Sequence, residues 1–270
     1  MSAPALFASG SPTIIAALHL PPFPASSHPE AQSIPALTDY ALRNVGRAVK
    51  AGVRALYVQD LGDYPIAPTI QPHTVAGVAA VGVAVRREFP DLTLGVCLMS
   101  HGAREPLAVA QAIGAQFVRL KVYVGAMVKA EGVLEGCAYE AVQYRAHAHV
   151  EGVAILADVY DRTGAPLGRM PLADEARQAA TFGRADGLIL TGLSFNESMA
   201  MLSEVRAAAL GVPLLLGGGA NAQNAAQALA VADGIIVSTA FKRVGGWTRD
   251  SLSADWDEGR IAEFMAAISD

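Results

Sequence analysis

Eight short apolar runs alternate with longer amphipathic segments along the whole chain. The runs are Thr13–Leu20, Arg54–Gln59, Thr93–Met99, Phe117–Tyr123, Val153–Tyr160, Gly187–Thr191, Pro213–Gly217 and Gly234–Ser238. Nearly continuous apolar runs are typical of parallel strands buried on both faces, and strict alternation with helices implies a parallel sheet. Eight such units in 270 residues predict one closed (β/α)8 barrel, which usually takes about 250 residues.

The amphipathic segments predict the helices that surround this barrel. They are Leu37–Ala51, Val75–Phe89, Glu105–Ile113, Tyr139–Val150, Ala173–Phe182, Glu197–Leu210, Ala222–Ala230 and Gly259–Ile268. The alternative architecture is an open doubly wound sheet, but no G-x-G-x-x-G motif follows the first run. We therefore expect a single TIM-barrel domain over residues 1–270.

The composition of the chain indicates which kinds of partner it can bind. Charged residues make up only 17% of the chain against 52% hydrophobic residues, and this balance suggests a surface partly covered by another subunit in a homo-oligomer. The net charge of −5 and the lack of a basic cluster argue against nucleic-acid binding, which needs grouped Lys and Arg. No signal peptide or transmembrane-length apolar run is visible, so we expect a cytoplasmic protein without membrane insertion.

The last two apolar runs end in sequences suited to an anion. Gly217-Gly218-Gly219-Ala220-Asn221 follows the seventh run, and Ser238-Thr239-Ala240 follows the eighth. In (β/α)8 barrels the loops at these two places commonly bind phosphate, and glycines let the backbone approach its oxygens. The predicted phosphate-binding residues are Gly217, Gly218, Gly219, Ser238 and Thr239. The alternative is a glycine-rich turn with no ligand.

Lys121 and Asp158 are the candidate catalytic residues. Only four of the twenty basic residues are lysines, yet Lys121 lies within an apolar run, and period-2 alternation turns it toward the lumen with Arg119 and Tyr123. Asp158 ends the neighbouring run, so we expect a direct or one-water contact between the two. Such a pair could transfer a proton, or its carboxylate could bind Mg²⁺. The alternative is a purely structural ion pair.

Other polar residues at strand ends are candidates for substrate binding. They are His19, Asp60, Tyr123 and Thr191. The alternatives are a hydrogen-bonded wall for His19 and a turn-shaping role for the aspartates beside Gly62. Two long loops, Pro21–Ser33 and Val124–Gly136, follow the first and fourth runs, and we expect the second to act as a lid.

Several motifs, in their order and spacing over residues 13–268, resemble the BtpA/SgcQ family. They are His19-Leu20-Pro21-Pro22-Phe23-Pro24, Leu61-Gly62-Asp63, Val122-Tyr123-Val124-Gly125-Ala126, Glu131-Gly132-Val133-Leu134-Glu135-Gly136, Tyr144-Arg145, Ala157-Asp158-Val159, Thr191-Gly192 and Ala232-Asp233-Gly234-Ile235-Ile236-Val237. The resemblance implies a phosphate-binding TIM barrel. It also implies either a sugar- or nucleoside-directed enzyme or a factor for photosystem I biogenesis.

The chain departs from the family pattern at the predicted mouth of the barrel. Gln59-Asp60 stands where the family usually has Glu-Asn, Lys121-Val122-Tyr123 replaces Asn-Val-His, and Arg162-Thr163 replaces Lys-His. Cys97 and Ser100-His101-Gly102 replace an Asn and an Arg-Asn-Asp sequence. Either the substrate differs or the branch is non-catalytic. We expect an enzyme acting on a phosphorylated sugar or nucleotide-like compound, with a non-catalytic assembly or stability factor as the alternative.

Overall fold

Eight parallel strands close into a barrel in the computed structural model, which describes residues 5–7, 12–244, 251 and 254–268. In chain order the strands are β1 (Thr13–His19), β2 (Ala55–Gln59), β3 (Thr93–Cys97), β4 (Phe117–Leu120), β5 (Ala126–Lys129), β6 (Gly132–Glu135), β7 (Ala154–Val159), β8 (Ala165–Pro166), β9 (Gly187–Leu190), β10 (Leu214–Leu216) and β11 (Gly234–Val237). The order around the barrel is β1-β11-β10-β9-β7-β4-β3-β2. The predicted (β/α)8 barrel is confirmed.

Helices follow the barrel strands as the amphipathic segments predict. They are α1 (Ile34–Lys50), α2 (Pro72–Glu88), α3 (Arg104–Ile113), α4 (Ala138–His147), α5 (Leu172–Arg177), α6 (Phe195–Ala207), α7 (Ala225–Leu229) and α8 (Glu258–Ala266). A π-helical turn, Gln178–Phe182, continues α5, and a 3-10 turn, Thr239–Phe241, follows β11. Within the described ranges, no helix has the length and apolar character needed to cross a membrane.

The apolar runs are continuous because each barrel strand is buried on both faces. In β1, Ile15 and Ala17 belong to the cluster that fills the lumen, whereas Ala16 and Leu18 belong to the core between barrel and helices. The same alternation places Val118 and Leu120 of β4 on the helix side, as predicted. Strand pairing and side-chain burial therefore fix the direction of every polar residue within a strand.

The predicted loop 124–136 is largely a β-hairpin. Strands β5 and β6 pair antiparallel, and β5 also pairs with the short strand β8. The underside of the hairpin buries Met127 and Leu134 against Val122 in a small core of its own. The sequence predicts a long loop here and does not show these two strands, because the alternation of buried and exposed residues is only four residues long in each.

Packing in the lumen predicts that Gly95 cannot be replaced, even by alanine. A Cβ at Gly95 would lie 2.3 Å from two ring atoms of Phe117, whose ring packs edge-on against Tyr57 and has little room to move. We expect Gly95→Ala to lower the free energy of unfolding by about 1–3 kcal/mol in urea denaturation. Gly152→Ala is the control, since nothing lies within 4 Å of its Cβ position. Equal stability of the two variants would contradict this packing.

Candidate functional site

A cavity of about 200 Å³ opens at the C-terminal mouth of the barrel. The side chains and loops of most barrel strands converge on it, which is the usual place for an active site in this fold. Its lining includes Ala17, His19, Tyr57, Gln59, Leu61, Met99, Arg119, Lys121, Asp158, Asp161, Arg162, Thr163, Thr191, Gly217, Gly218, Gly219, Ala220, Ile236, Val237, Ser238 and Thr239. The structure thus brings Lys121, Asp158, His19, Thr191 and all five predicted phosphate-binding residues to one cavity.

A buried ion pair forms part of the cavity wall. The Nε and Nη2 atoms of Arg119 each donate to a different carboxylate oxygen of Asp158 at 2.8 Å, and Nη1 donates to the Tyr57 hydroxyl at 2.8 Å. Although burial opposes the charge, Asp158 holds the pKa of Arg119 well above its ordinary value. The pair is therefore a fixed, ionised part of the site.

The predicted contact between Lys121 and Asp158 is not the pairing that the structure contains. Arg119 lies two residues before Lys121 on the same face of the chain, and its planar guanidinium engages both oxygens of Asp158. A bidentate guanidinium is a better partner for a carboxylate than a single ammonium. The prediction of a direct contact was wrong because alternation turns both Arg119 and Lys121 toward the lumen and does not show which of them reaches Asp158.

Lys121 is held on the other side of the mouth. Its Nζ donates to the Met99 carbonyl at 2.6 Å and lies 3.5 Å from the Met99 sulfur, which also accepts from Nε2 of Gln59. Burial lowers the pKa of Lys121, and the charge of Lys129 adds to that effect. We call Gln59, Met99 and Lys121 the lysine pole of the cavity.

Three residues with unsatisfied backbone amides line another part of the cavity. In the part of the chain that the structure describes, the amides of Gly218, Gly219 and Thr239 donate to no acceptor. The guanidinium of Arg162 approaches within 3.8 Å of the place where a Gly218 side chain would begin. Unsatisfied amides beside a guanidinium form a suitable site for an anion. We call Gly217, Gly218, Gly219, Ser238, Thr239 and Arg162 the glycine pole.

Thr191 explains why position 217 is glycine. A Cβ at Gly217 would lie 1.8 Å from Oγ1 of Thr191, so the hydroxyl occupies the space of the missing side chain. Thr191 is only 5% exposed, and among the described residues its hydroxyl has no hydrogen-bond partner. A buried hydroxyl that lines a cavity without a partner is suited to bind a polar ligand.

His19 lies at the glycine pole as a neutral side chain. Its Nδ1 is 3.3 Å from Oγ of Ser238, because β1 and β11 are neighbours in the barrel. Burial lowers the pKa of His19 to about 3, helped by the charges of Lys242 and Arg119. The imidazole is therefore uncharged at neutral pH and can offer hydrogen bonds but not a positive charge.

Two predicted substrate-binding residues lie outside the cavity. Asp60 is absent from the described residues of its lining; its Oδ1 instead accepts from the Met99 amide at 2.7 Å. Tyr123 packs in the core between barrel and helices, and its hydroxyl donates to the Gly183 carbonyl. The prediction for Tyr123 was wrong because β4 ends at Leu120, so the alternation no longer holds two residues beyond Lys121.

The hairpin is attached to the site by a second buried ion pair. Lys129 of β5 contacts Asp161, and both side chains are less than a tenth exposed. Although burial opposes it, Lys129 lowers the pKa of Asp161 to about 2. Sequence reasoning did not find Asp161, and it placed Arg162 at the mouth only through the family pattern, because both follow β7 in a loop where no periodicity shows the direction of a side chain.

The carboxylates of the mouth do not form a metal site. Both oxygens of Asp158, the residue considered for Mg²⁺, accept from Arg119. In the ranges that the structure describes, no group of three His, Cys, Asp or Glu side chains could hold a metal ion. The donor set therefore does not fit Mg²⁺, and we derive no chemistry through a metal.

Comparison with known sequences identifies relatives over nearly the whole chain. The sequence model of the BtpA family matches residues 11–269. The photosystem I biogenesis protein BtpA of Synechocystis is 28% identical, with 95% of this chain and 88% of that protein aligned. An uncharacterized protein of Archaeoglobus fulgidus is 32% identical, over 86% of this chain and 92% of its own length.

Comparison with solved structures supports the fold. A tryptophan synthase chain from M. tuberculosis has a TM-score of 0.59 at 16% identity and covers 99% of both chains. The 3-keto-L-gulonate-6-phosphate decarboxylase of Vibrio cholerae has a TM-score of 0.58 at 13% identity, over 96% of this chain and 98% of that one. At such identities the similarity establishes the barrel and not the reaction.

The buried ion pair predicts a strong effect of Asp158→Asn on stability. The amide keeps the shape of the side chain but leaves Arg119 buried without its counter-charge, so we expect a loss of about 3–5 kcal/mol in the free energy of unfolding. The control is Asp174→Asn, which breaks an exposed pair with Arg177 and should cost less than about 1 kcal/mol. Similar urea midpoints for the two variants would show that the Arg119–Asp158 pair is not needed for folding.

The environment of Asp60 predicts that the free energy of unfolding depends on pH. Burial raises the pKa of Asp60 from 3.8 to about 6, so between those values the native state keeps a proton that the unfolded chain has released. The free energy of unfolding therefore falls as the pH rises through this window. Asp60→Asn keeps an oxygen for the Met99 amide and does not titrate.

We expect the variant to gain roughly 3 kcal/mol relative to the wild type between pH 4 and pH 7. The measurement is urea denaturation of both proteins at a series of pH values, so that the other titrating groups cancel. Parallel pH profiles of wild type and variant would contradict the raised pKa.

Proposed function

Because the chain belongs to the BtpA family and has a cationic cavity at the mouth of its barrel, we propose that it binds a phosphorylated sugar or nucleotide-like compound there and acts on it as an enzyme. The observation that carries this proposal is the glycine pole, where the amides of Gly218, Gly219 and Thr239 have no acceptor among the described residues and Arg162 lies beside Gly218. Backbone amides can approach phosphate oxygens directly because the glycines have no side chain in the way.

The chemistry would take place at the lysine pole. Lys121 lines the cavity, and its lowered pKa makes it a better proton-transfer group than a surface lysine. As an ammonium it would stabilise negative charge that develops on a substrate oxygen. The residues therefore suit a lyase or isomerase step beside a carbonyl group, with Asp158 keeping Arg119 in position rather than exchanging protons with Lys121.

The solved structures add support at the level of the fold. One of the similar barrels is named a decarboxylase of 3-keto-L-gulonate-6-phosphate, and another is a phosphoribosyl anthranilate isomerase from Thermus thermophilus with a TM-score of 0.54 at 14% identity. Both names contain a phosphorylated sugar. This support is an analogy between folds, and the residues of the glycine pole carry the proposal.

A second candidate function is a non-catalytic assembly or stability factor. The Synechocystis relative named for photosystem I biogenesis favours it, as do the exposed apolar side chains of Val128 and Val133 on the outer face of the hairpin and of Leu193 after β9. The same surface would suit another copy of the chain in a homo-oligomer. Ligand-dependent stabilisation separates the candidates, because only the enzyme needs the cavity.

The proposal predicts that Gly218→Val abolishes stabilisation by phosphorylated ligands. A Cβ at position 218 has no neighbour closer than 3.8 Å, so the protein should fold, but the side chain would occupy the space of the phosphate. With a sugar phosphate at about 100 times its Kd, we expect the wild-type Tm to rise by roughly 5–10 °C. The measurement is thermal unfolding with ribose 5-phosphate, glucose 6-phosphate and inorganic phosphate.

The matched control is Gly152→Val, which lies in open space away from the cavity lining and should respond like the wild type. If Gly218→Val and the wild type respond alike, the phosphate site lies elsewhere. If none of the phosphorylated compounds raises the wild-type Tm, the assembly-factor hypothesis becomes the better one.

A further inference from the structure

The two poles of the cavity lie on opposite sides of the barrel. In the order β1-β11-β10-β9-β7-β4-β3-β2, the strand β10, which precedes the glycines, is diametrically opposite β3, which precedes Met99. In the same way β11, before Ser238 and Thr239, is opposite β4, before Lys121. Since the Met99 carbonyl holds the Lys121 ammonium on the β3 side, a phosphate at the glycine pole faces Lys121 across the mouth.

In the described part of the protein no carboxylate is in direct contact with Lys121, although Asp60 and Asp161 act on its pKa from a distance. Its nearest acceptors are the carbonyl and the sulfur of Met99, and a carbonyl oxygen does not neutralise a buried charge. The carboxylates that could do so are engaged elsewhere. Asp158 is bound by Arg119, Asp161 by Lys129, and the Oδ1 of Asp60 by the amide of Met99.

An ammonium also has more donors than Met99 can use. Lysine has three N–H donors; the carbonyl of Met99 takes one and its sulfur, a weak acceptor, takes a second at 3.5 Å. A half-buried cation with no carboxylate in contact is poorly compensated, and a ligand that brings a negative charge into contact with it would recover part of its desolvation cost. A ligand hydroxyl would accept a hydrogen bond and leave the charge uncompensated, so the charge favours an anion.

We infer that the substrate carries a carboxylate that binds Lys121 at the lysine pole, while its phosphate binds at the glycine pole. The substrate class is then a phosphorylated sugar acid, in which a short polyhydroxylated chain joins the two anions. The Thr191 hydroxyl, buried and without a partner among the described residues, lies in the same cavity to bind a hydroxyl of that chain. This inference rests on the proposed function and adds the second anionic group to it.

The test compares pairs of ligands that differ only at the carbon distant from the phosphate. The pairs are ribonate 5-phosphate with ribitol 5-phosphate, and 6-phosphogluconate with glucitol 6-phosphate. By isothermal titration calorimetry we expect the wild type to bind at least one sugar acid phosphate about ten- to hundredfold more tightly than its alcohol partner, as expected for a hydrogen bond to a charged group. This comparison needs no variant.

The Lys121→Met variant tests whether Lys121 causes the preference for sugar acid phosphates. We expect the affinity of this variant for the sugar acid phosphate to fall to its affinity for the alcohol partner. Its affinity for the alcohol partner should differ from that of the wild type by less than about twofold. Lys50→Met is the control, because Lys50 is an exposed lysine paired with Glu258 on the outer surface. It should keep the full preference of the wild type, and a circular dichroism spectrum confirms folding of both variants.

The outcomes separate this inference from the proposed function. Equal affinity of the wild type for both members of each pair, with binding still tighter than that of inorganic phosphate, overturns the carboxylate inference and leaves the phosphate site standing. A preference that survives in Lys121→Met overturns the role of Lys121. Failure of all four compounds to bind more tightly than inorganic phosphate overturns the proposed function, and the inference with it.

Discussion

The site is organised around the buried ion pair between Arg119 and Asp158. It joins β4 to its neighbour β7 on the lumen side, and through the Tyr57 hydroxyl it also reaches β2. Asp158 is the one aspartate in the described barrel strands, and both of its oxygens accept from Arg119. It is therefore not available to neutralise Lys121. An interaction that belongs to the scaffold therefore determines which cation remains available to a ligand.

The opposite side of the cavity depends on a steric constraint. Residue 217 must be glycine because Thr191 fills the space next to it, and the Gly217 amide donates to the Leu190 carbonyl at 2.9 Å. The chain then leaves the sheet, and the next two amides find no acceptor among the described residues. After β10 the chain therefore presents two backbone amides without acceptors. Their ability to bind an anion does not depend on the dipole of a long helix. The five-residue helix α7 contributes little, because the Asn221 side chain caps the amides of Gln223 and Asn224.

Much of the fold could be predicted from the sequence, and so could part of the site. Burial on both faces imposes continuous apolar runs, so the eight strands were visible, and alternation correctly directed Lys121 to the lumen side. Alternation gives direction but not distance, so it could not show that Arg119 reaches Asp158 first. It also requires a continuing strand, and the chain turns away after Leu120, which is why Tyr123 was misplaced. Arg162 lies in a loop, where only the three-dimensional structure shows what it faces.

The hairpin and the loop after β7 should behave as one unit. Lys129 comes from the hairpin and Asp161 from the loop, and their buried contact is reinforced by the pairing of β5 with β8, which belongs to that same loop. Arg162 is the next residue after Asp161, so its position depends on the hairpin being in place. Because Lys129 neutralises Asp161, the carboxylate beside Arg162 does not repel an incoming anion as a free carboxylate would. The position of the loop after β7 and the electrostatics of the glycine pole therefore follow from the same contact.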